Sequence, residues 1–555
     1  DNPTRISSLY IVPILERCAY LLDDNLQKLS IEKAPDISIV SASNARVDNE
    51  TGHIQLKMSN KTGHSKIISA SVRIISVNGR DVSDKQYLYN LRSPLYGGRC
   101  YTFEIVVSLN PDDIPQRILN LLLSITYFDK DSTENTVEVP LEIRIDDSRD
   151  FKPYENKFVK YANGQEVRDS EMVKGRDGLI NTISETAQND RKSFIIFGQR
   201  RSGKSTVLLH VGNRLKENKK CFVVPMSMLS LSGKDNTIKD EQSFLGDLYF
   251  QIFSKIARQI KLENRSVYKK VFDHGLECDD FLSNPNMKFT YYLEKVQDVL
   301  HDELGYEDER IILIIDEFTA LYYEILEGHI SDSFIKKTKE LSESGSITFI
   351  VSGHDVMPKF WERYPNEFAI FKKEPVTSID EKAARELVEE PVWDHENDRS
   401  RFEKDAVTRI IELSGYSPFY IQILCAEIVD YAIKNRIPII TEYDVNVVVN
   451  RMTSSEAKLR RGDFDNLIPV KENKEFHERV FELSIDDAYN LCKEIAQFEP
   501  DYVSVRSLHS VKNSEKQKVL SYLLSRDVVE PHPEYGRDLV KIKVSLFKEW
   551  LRKNE

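Results

Sequence analysis

Cysteine is scarce and placed for no framework. Six occur in 555 residues (Cys18, Cys100, Cys221, Cys278, Cys425 and Cys492), with no C-x-x-C pair among them. That spacing argues against a zinc site and against a disulfide-stapled fold, and it suits a reducing cytoplasm. Long apolar runs are also lacking: none approaches the roughly 18 residues a membrane-spanning helix requires. No signal-peptide pattern is visible. Positive charge is not in excess, with 77 Lys+Arg against 90 Asp+Glu and a net charge of −13. The molecule as a whole is therefore no polyanion binder. The composition is that of an ordinary globular protein, and the length predicts three or four domains. The chain begins at Asp1 rather than Met, and a preceding segment is expected.

Against this background one stretch stands out. Gly198-Gln199-Arg200-Arg201-Ser202-Gly203-Lys204-Ser205 fits G-x-x-x-x-G-K-[ST]. An apolar run of strand length, Phe194–Phe197, precedes it, and Thr206–Val211 can open a helix. The glycines let the backbone curl so that its N–H groups point at phosphate oxygens. The helix N-terminus adds its positive dipole end. Lys204 is expected to reach the terminal phosphates, and the Ser205 hydroxyl to bind Mg²⁺. Downstream, Ile311–Ile315 reads as a buried parallel strand ending in Asp316-Glu317. Asp316 at the strand tip is placed to hold Mg²⁺ through water. Glu317 is placed to polarise the attacking water of a nucleotide hydrolysis, in which the protein has mainly to position groups and stabilise charge.

The rest of the chain divides by character. Residues 1–36 read as a connector. Residues 37–150 alternate short β-rich runs with turn signals at Asn78-Gly79 and Gly97-Gly98, which predicts six or seven strands in an immunoglobulin-like β-sandwich. No Cys…Trp…Cys signature accompanies it, and nothing there is catalytic. Residues 151–375 form the α/β P-loop core. The aromatic stripe of Phe244–Ala257 falls at helical spacing and reads as core. Ile347–Gly353 is another buried strand, ending near Ser352 and His354. Either these sense a γ-phosphate, or they are a strand cap and an exposed histidine. Residues 376–452 read as a helical lid, with a helix corner at Ser414-Gly415 and a new helix opening at Pro418. Residues 453–555 read as helices followed by a β-hairpin, the pattern of a winged helix. Over residues 469–555 there are 15 Lys+Arg against 16 Asp+Glu, a balance that weighs against a DNA-reading face.

Taken in order, several motifs resemble one family. They are Asn156, Gly175-Arg176-Asp177, Gly198–Ser205, Ile314–Phe318, Ser352–His354, the Glu381–Pro391 helix, the Gly415–Pro418 turn and the C-terminal Val540–Leu551. This order resembles the STAND ATPases, the signal-transduction branch of the AAA+ superclass, over roughly residues 150–555. The resemblance implies ATP and Mg²⁺ as ligands, and a slow or activator-dependent ATPase. It implies that Val173, Gly175 and Arg176 cradle adenine and ribose. Gln199, Arg200, Arg201, Ser202, Gly203 and Thr206 would complete the phosphate loop, and Pro418 would report nucleotide state to the lid. It further implies a homo-oligomer on activation and a protein partner or trigger. Bacterial relatives serve in anti-phage defence, and that role is the expectation carried over. Lys174 departs from the family, which usually has an apolar residue there. The superhelical sensor repeats of many members are absent, so sensing would fall to the β-sandwich, to a preceding segment or to a partner.

Two other classes compete with the ATP-operated switch. One is a DNA-binding ATPase of origin-recognition type, which shares the lid and winged-helix plan. The other is a scaffold with a vestigial ATPase, against which the intact Lys204, Ser205, Asp316 and Glu317 argue.

Overall fold

Alternating residues in the N-terminal third become strands with one buried face. In the computed structural model, residues 33–554 are described apart from 43, 49, 83–87, 91–93, 115–116, 148–150, 218, 229–240, 274, 455–458 and 499–501. The connector expected at 1–36 lies outside the described residues except for its last four. The chain divides into two compact units. One runs through Pro153 and includes Ala432–Asp444; the other comprises Tyr154–Tyr431 and Val445–Glu555. The core, lid and C-terminal segments distinguished in the sequence thus fall largely within the second.

The first unit holds nine strands among the described residues: β1 Ile37–Ser41, β2 Ala45–Asp48, β3 Thr51–Asn60, β4 Ser69–Val77, β5 Arg80–Asp81, β6 Leu88–Asn90, β7 Cys100–Ser108, β8 Ile118–Phe128 and β9 Glu134–Asp147. The order is β1-β3-β2-β9-β8-β4-β5, with β7 on β3 and β6 on β4. Pairing is antiparallel except between β2 and β9, where Ala45 lies against Ile145 in parallel. Inward residues such as Leu56, Ile74, Val107, Leu123 and Ile143 form one buried cluster drawn from all the long strands. More strands form than the pattern predicted, because β2, β5 and β6 are too short to show a period of two. Arg46 of β2 donates to the buried carboxylate of Asp444 and, at 3.3 Å, to the Thr441 hydroxyl.

The second unit is built on five parallel strands: β10 Phe194–Phe197, β11 Phe222–Ser227, β12 Ile311–Asp316, β13 Ile347–Gly353 and β14 Lys372–Pro375. Their order is β11-β12-β13-β10-β14. All seven residues of β13 are buried, as are the first five of β12. Helices cover both faces, as parallel strands require. On one side Ile195, Leu313 and Val351 pack with the 23-residue helix Glu241–Glu263. On the other, Gly212 of the helix Lys204–Lys216 lies so close to β12 that an added Cβ would stand 3.2 Å from Ile314. The aromatic stripe is core as expected: Phe253 packs against Phe281, Phe289 and Tyr292. The edge strand β14 carries Lys372, Lys373 and Glu374, which keep it from pairing further.

Beyond the sheet come helices Glu381–Glu389, Lys404–Ser414, Pro418–Lys434 and Glu442–Thr453. Gly415 ends the second of these at φ 57°, and a Cβ there would meet the Lys543 carbonyl at 2.8 Å. Glycine is thus required twice over, by backbone angle and by close approach. The C-terminal part holds helices Glu472–Phe481, Ile485–Gln497, Asn513–Ser525 and Ser545–Asn554. They accompany an antiparallel sheet of β15 Val503–Ser504, β16 Val529–His532 and β17 Gly536–Ile542, in the order β15-β17-β16. Among the described residues no helix is long and apolar enough to cross a membrane.

Candidate nucleotide site

Parallel strands end at a common edge, and there the polar side chains collect. β10 runs out into the glycine loop. Gly198 sits so tightly on β14's exit that a Cβ would lie 2.2 Å from the Val376 carbonyl. Gly203, at φ 96°, caps the helix Lys204–Lys216 in a left-handed conformation that costs a side-chain-bearing residue roughly 1 to 2 kcal/mol. The loop therefore presents backbone N–H groups at a helix N-terminus, the arrangement that binds anions.

A cavity of about 650 Å³ opens beside it, the size of a small-molecule site. Arg200, Arg201, Ser202, Gly203, Lys204, Ser205 and Thr206 line it from the loop, Glu317 and His354 from the strand ends, and Val173, Lys174 and Arg176 from the entry segment. Pro418 lines it from the start of the helix Pro418–Lys434. Lys204 is buried, its ammonium donating to the Gly198 and Gln199 carbonyls at 3.1 and 2.6 Å. Burial pulls its pKa below the ordinary lysine value, while Glu317, Asp355 and Asp316 pull the other way. Arg176 donates to the Ser202 carbonyl at 3.4 Å and to that of Thr377; desolvation lowers its pKa to about 10.

Glu317 holds a left-handed backbone at φ 58°, uncommon for a residue with a side chain. Its N–H donates to Asp316 Oδ1 at 2.9 Å and its carboxylate lies 2.8 Å from His354 Nε2. Burial would raise the carboxyl's pKa. The His354 hydrogen bond and charge, with Lys204 and Arg200, outweigh this and hold it below the usual carboxylate value. Ser352 is fully buried and donates to Asp316 Oδ1. The two open readings of this strand end thus separate. Ser352 braces Asp316, whereas His354 is partly buried against Glu317 and is not an exposed histidine.

Several expected site residues sit elsewhere. Gly175 does not line the cavity. Its φ of 69° and the 2.7 Å from an added Cβ to Ala383 show that it lets the entry segment approach the helix Glu381–Glu389. Gly198 and Gln199 face a second, adjoining cavity of about 710 Å³. Asp316 is absent from the lining, and its Oδ1 accepts from Ser352 and from the Glu317 N–H. Asn156 donates to the Ala426 carbonyl at 2.8 Å and to Asp430 at 2.7 Å, fastening the entry segment to the helix Pro418–Lys434. Lys174, the departure from the family pattern, pairs with Glu390.

Sequence reasoning missed part of the wall: Gly164 to Val167, Phe419, Gln422, and Asp465, Asn466, Val470 and Lys471. The two loop arginines reach these. Arg200 donates to Asp465 at 3.0 Å, and Arg201 stacks over the Phe419 ring at 4.4 Å. No local signal marks such partners; only the paired charges of Arg200-Arg201 and Asp463–Asp465 hint at them.

The donor set suits a nucleotide phosphate with Mg²⁺. Ser202 Oγ, in the cavity lining, is buried without a hydrogen-bond partner. Among the described residues no group of three His, Cys, Asp or Glu could hold a metal. Mg²⁺ takes few protein ligands and fills its shell with phosphate oxygens and water. Ser205 would bind it directly and Asp316 through water.

Neither protein-family models nor curated proteins match this sequence. Among solved structures the chain is similar to Drosophila ORC bound to DNA (12% identity, TM-score 0.33, covering 72% of this chain and 93% of that one). It is also similar to a Thermotoga maritima RuvB variant (12% identity, TM-score 0.33, 66% and 91%) and to the T. maritima RuvB Holliday junction branch migration motor (11% identity, TM-score 0.32, 66% and 91%). The assignment of the site rests on the chain's own loop and strand ends.

Proposed function

We propose that the protein binds and hydrolyses ATP as a STAND-type switch of the AAA+ superclass. The observation that carries this reading is the convergence of Val173, Lys174 and Arg176, the loop 200–206, Glu317 and Pro418 on one cavity. In this reading the Lys204 ammonium leaves its two loop carbonyls and donates instead to the β- and γ-phosphates. The loop N–H groups bind the phosphate oxygens, and Val173, Leu387 and Phe419 enclose the base in an apolar wall. Bound Mg²⁺ would supply charge neutralisation on the phosphates. Glu317 polarises the attacking water, and Pro418 couples occupancy to the lid. Such coupling works only if ATP and ADP favour different lid arrangements.

The helix–strand–helix–hairpin–helix order of residues 485–554 supports a winged helix, and the mainly antiparallel strands around one buried cluster support an immunoglobulin-like module for protein contact. Assembly into a homo-oligomer on activation, and a cytoplasmic role in anti-phage defence, complete the proposal. Lys204→Ala tests the site: removing a buried charged donor should weaken ATP binding by roughly 10- to 100-fold. Unchanged affinity by calorimetry would end the P-loop reading. Sizing the parent with ATP, with ADP and with neither tests the switch, and identical profiles would count against it. Salt-dependent duplex binding would favour the origin-recognition reading instead.

A further inference from the structure

The loop leaving β13 carries two adjacent residues that face different parts of the second unit. His354 holds the Glu317 carboxylate at 2.8 Å. Its own backbone is fixed, the N–H donating to Thr319 Oγ1 at 2.7 Å and the carbonyl accepting from Met357 N–H at 3.0 Å. Asp355, the next residue, pairs with Arg526, which is 2% exposed and directly follows the helix Asn513–Ser525. Arg526 also donates to the Tyr522 hydroxyl at 2.6 Å and to the Asn466 carbonyl at 2.7 Å. Asn466 lines the nucleotide cavity. An unbroken line of contacts therefore joins the candidate base to the C-terminal helices. A buried pair of this kind tolerates loss of one partner poorly, so it favours a single arrangement.

The backbone at Glu317 is pinned by Asp316 and by its own left-handed turn. What remains free is the direction of its side chain. In the observed direction Oε2 lies 2.8 Å from the imidazole Nε2. We propose that His354 is a positioning residue that holds the Glu317 carboxylate back from the attacking water. In this scheme the Asp355–Arg526 pair locks His354 in place, so the C-terminal helices set the hydrolysis rate. The proposal rests on the ATPase reading above and adds to it the element that restrains the reaction.

The test is phosphate release by the full chain, with ATP affinity measured alongside. His354→Ala should raise kcat roughly tenfold, the worth of one hydrogen bond to a charged group, and leave KM for ATP within about twofold. His354→Gln, which keeps a donor in reach, should return toward the parent rate. Asp355→Asn should raise kcat in the parent and add nothing in the His354→Ala background. If Asp355→Asn does not fold, Arg526→Lys replaces it: the ammonium keeps the charge but cannot make Arg526's three separate contacts, so kcat should rise here too. His354→Ala combined with Glu317→Gln should fall to the rate of Glu317→Gln alone. A His354→Ala rate at or below the parent, with ATP still bound, overturns the restraint. So does a gain that survives Glu317→Gln. Failure of the parent to bind ATP overturns the site reading itself.

Discussion

β8 and β13 draw on similar apolar residues and bury them differently. In β8 every second residue from Leu119 to Tyr127 is buried and those between are open or half-open. In β13 all seven are buried. A strand with one solvated face can spread polar groups along its length, and the first unit does so: His53 and Glu104 pair at 2.9 Å with both side chains substantially exposed. A strand covered on both faces has room for polar groups only at its end. There the second unit gathers Asp316, Glu317 and His354 beside the phosphate loop. The difference teaches where chemistry can converge: a sheet closed on both faces concentrates it at one edge.

The largest expected effect tests that edge. Glu317→Gln should retain ATP binding and slow turnover by about 10² to 10⁴. Glu104→Gln on the open β face should leave turnover unchanged. Equal effects in a phosphate-release assay would erase the distinction. Next, Ile350→Ala within β13 should cost about 2 to 5 kcal/mol by denaturant unfolding, as deletion in a packed core does.

A smaller effect comes from pH. Burial, then the Arg526 charge, lower the pKa of His477 to about 3 against an opposing pull from Asp355. Below about pH 6.5 the unfolded chain gains a proton here that the native state refuses. Stability should therefore fall with falling pH by up to about 1.4 kcal/mol per unit, and hold above that value. Unfolding midpoints of the parent and of His477→Gln between pH 7 and 4.5 check this: the variant should show the shallower slope. The smallest effect belongs to Val106→Thr at a position of β7 that is 42% exposed. It should shift stability by no more than about 0.5 kcal/mol. A loss matching that of Ile350→Ala would mean that face is covered.

The loop, the Asp316-Glu317 strand tip and the apolar strands were legible because their signals are local. Glycines at Gly198 and Gly203, and an unbroken apolar run before a carboxylate, dictate backbone geometry within a few residues. The same locality misled at Gly175: its backbone angle is real, yet it serves packing against Ala383 rather than the cavity. It also left open whether His354 was exposed or engaged.

By itself the sequence determined which backbone segments curl, which strands are buried and which side chains stand at their tips. The tertiary structure alone decided what those side chains meet. Arg200 meets Asp465, Arg201 meets Phe419, and Asp355 meets Arg526 across 171 residues of chain. Partners so far apart in sequence leave no periodicity or spacing to read. They are brought together by the packing of helices around the sheet, and packing depends on the whole core rather than on any one stretch.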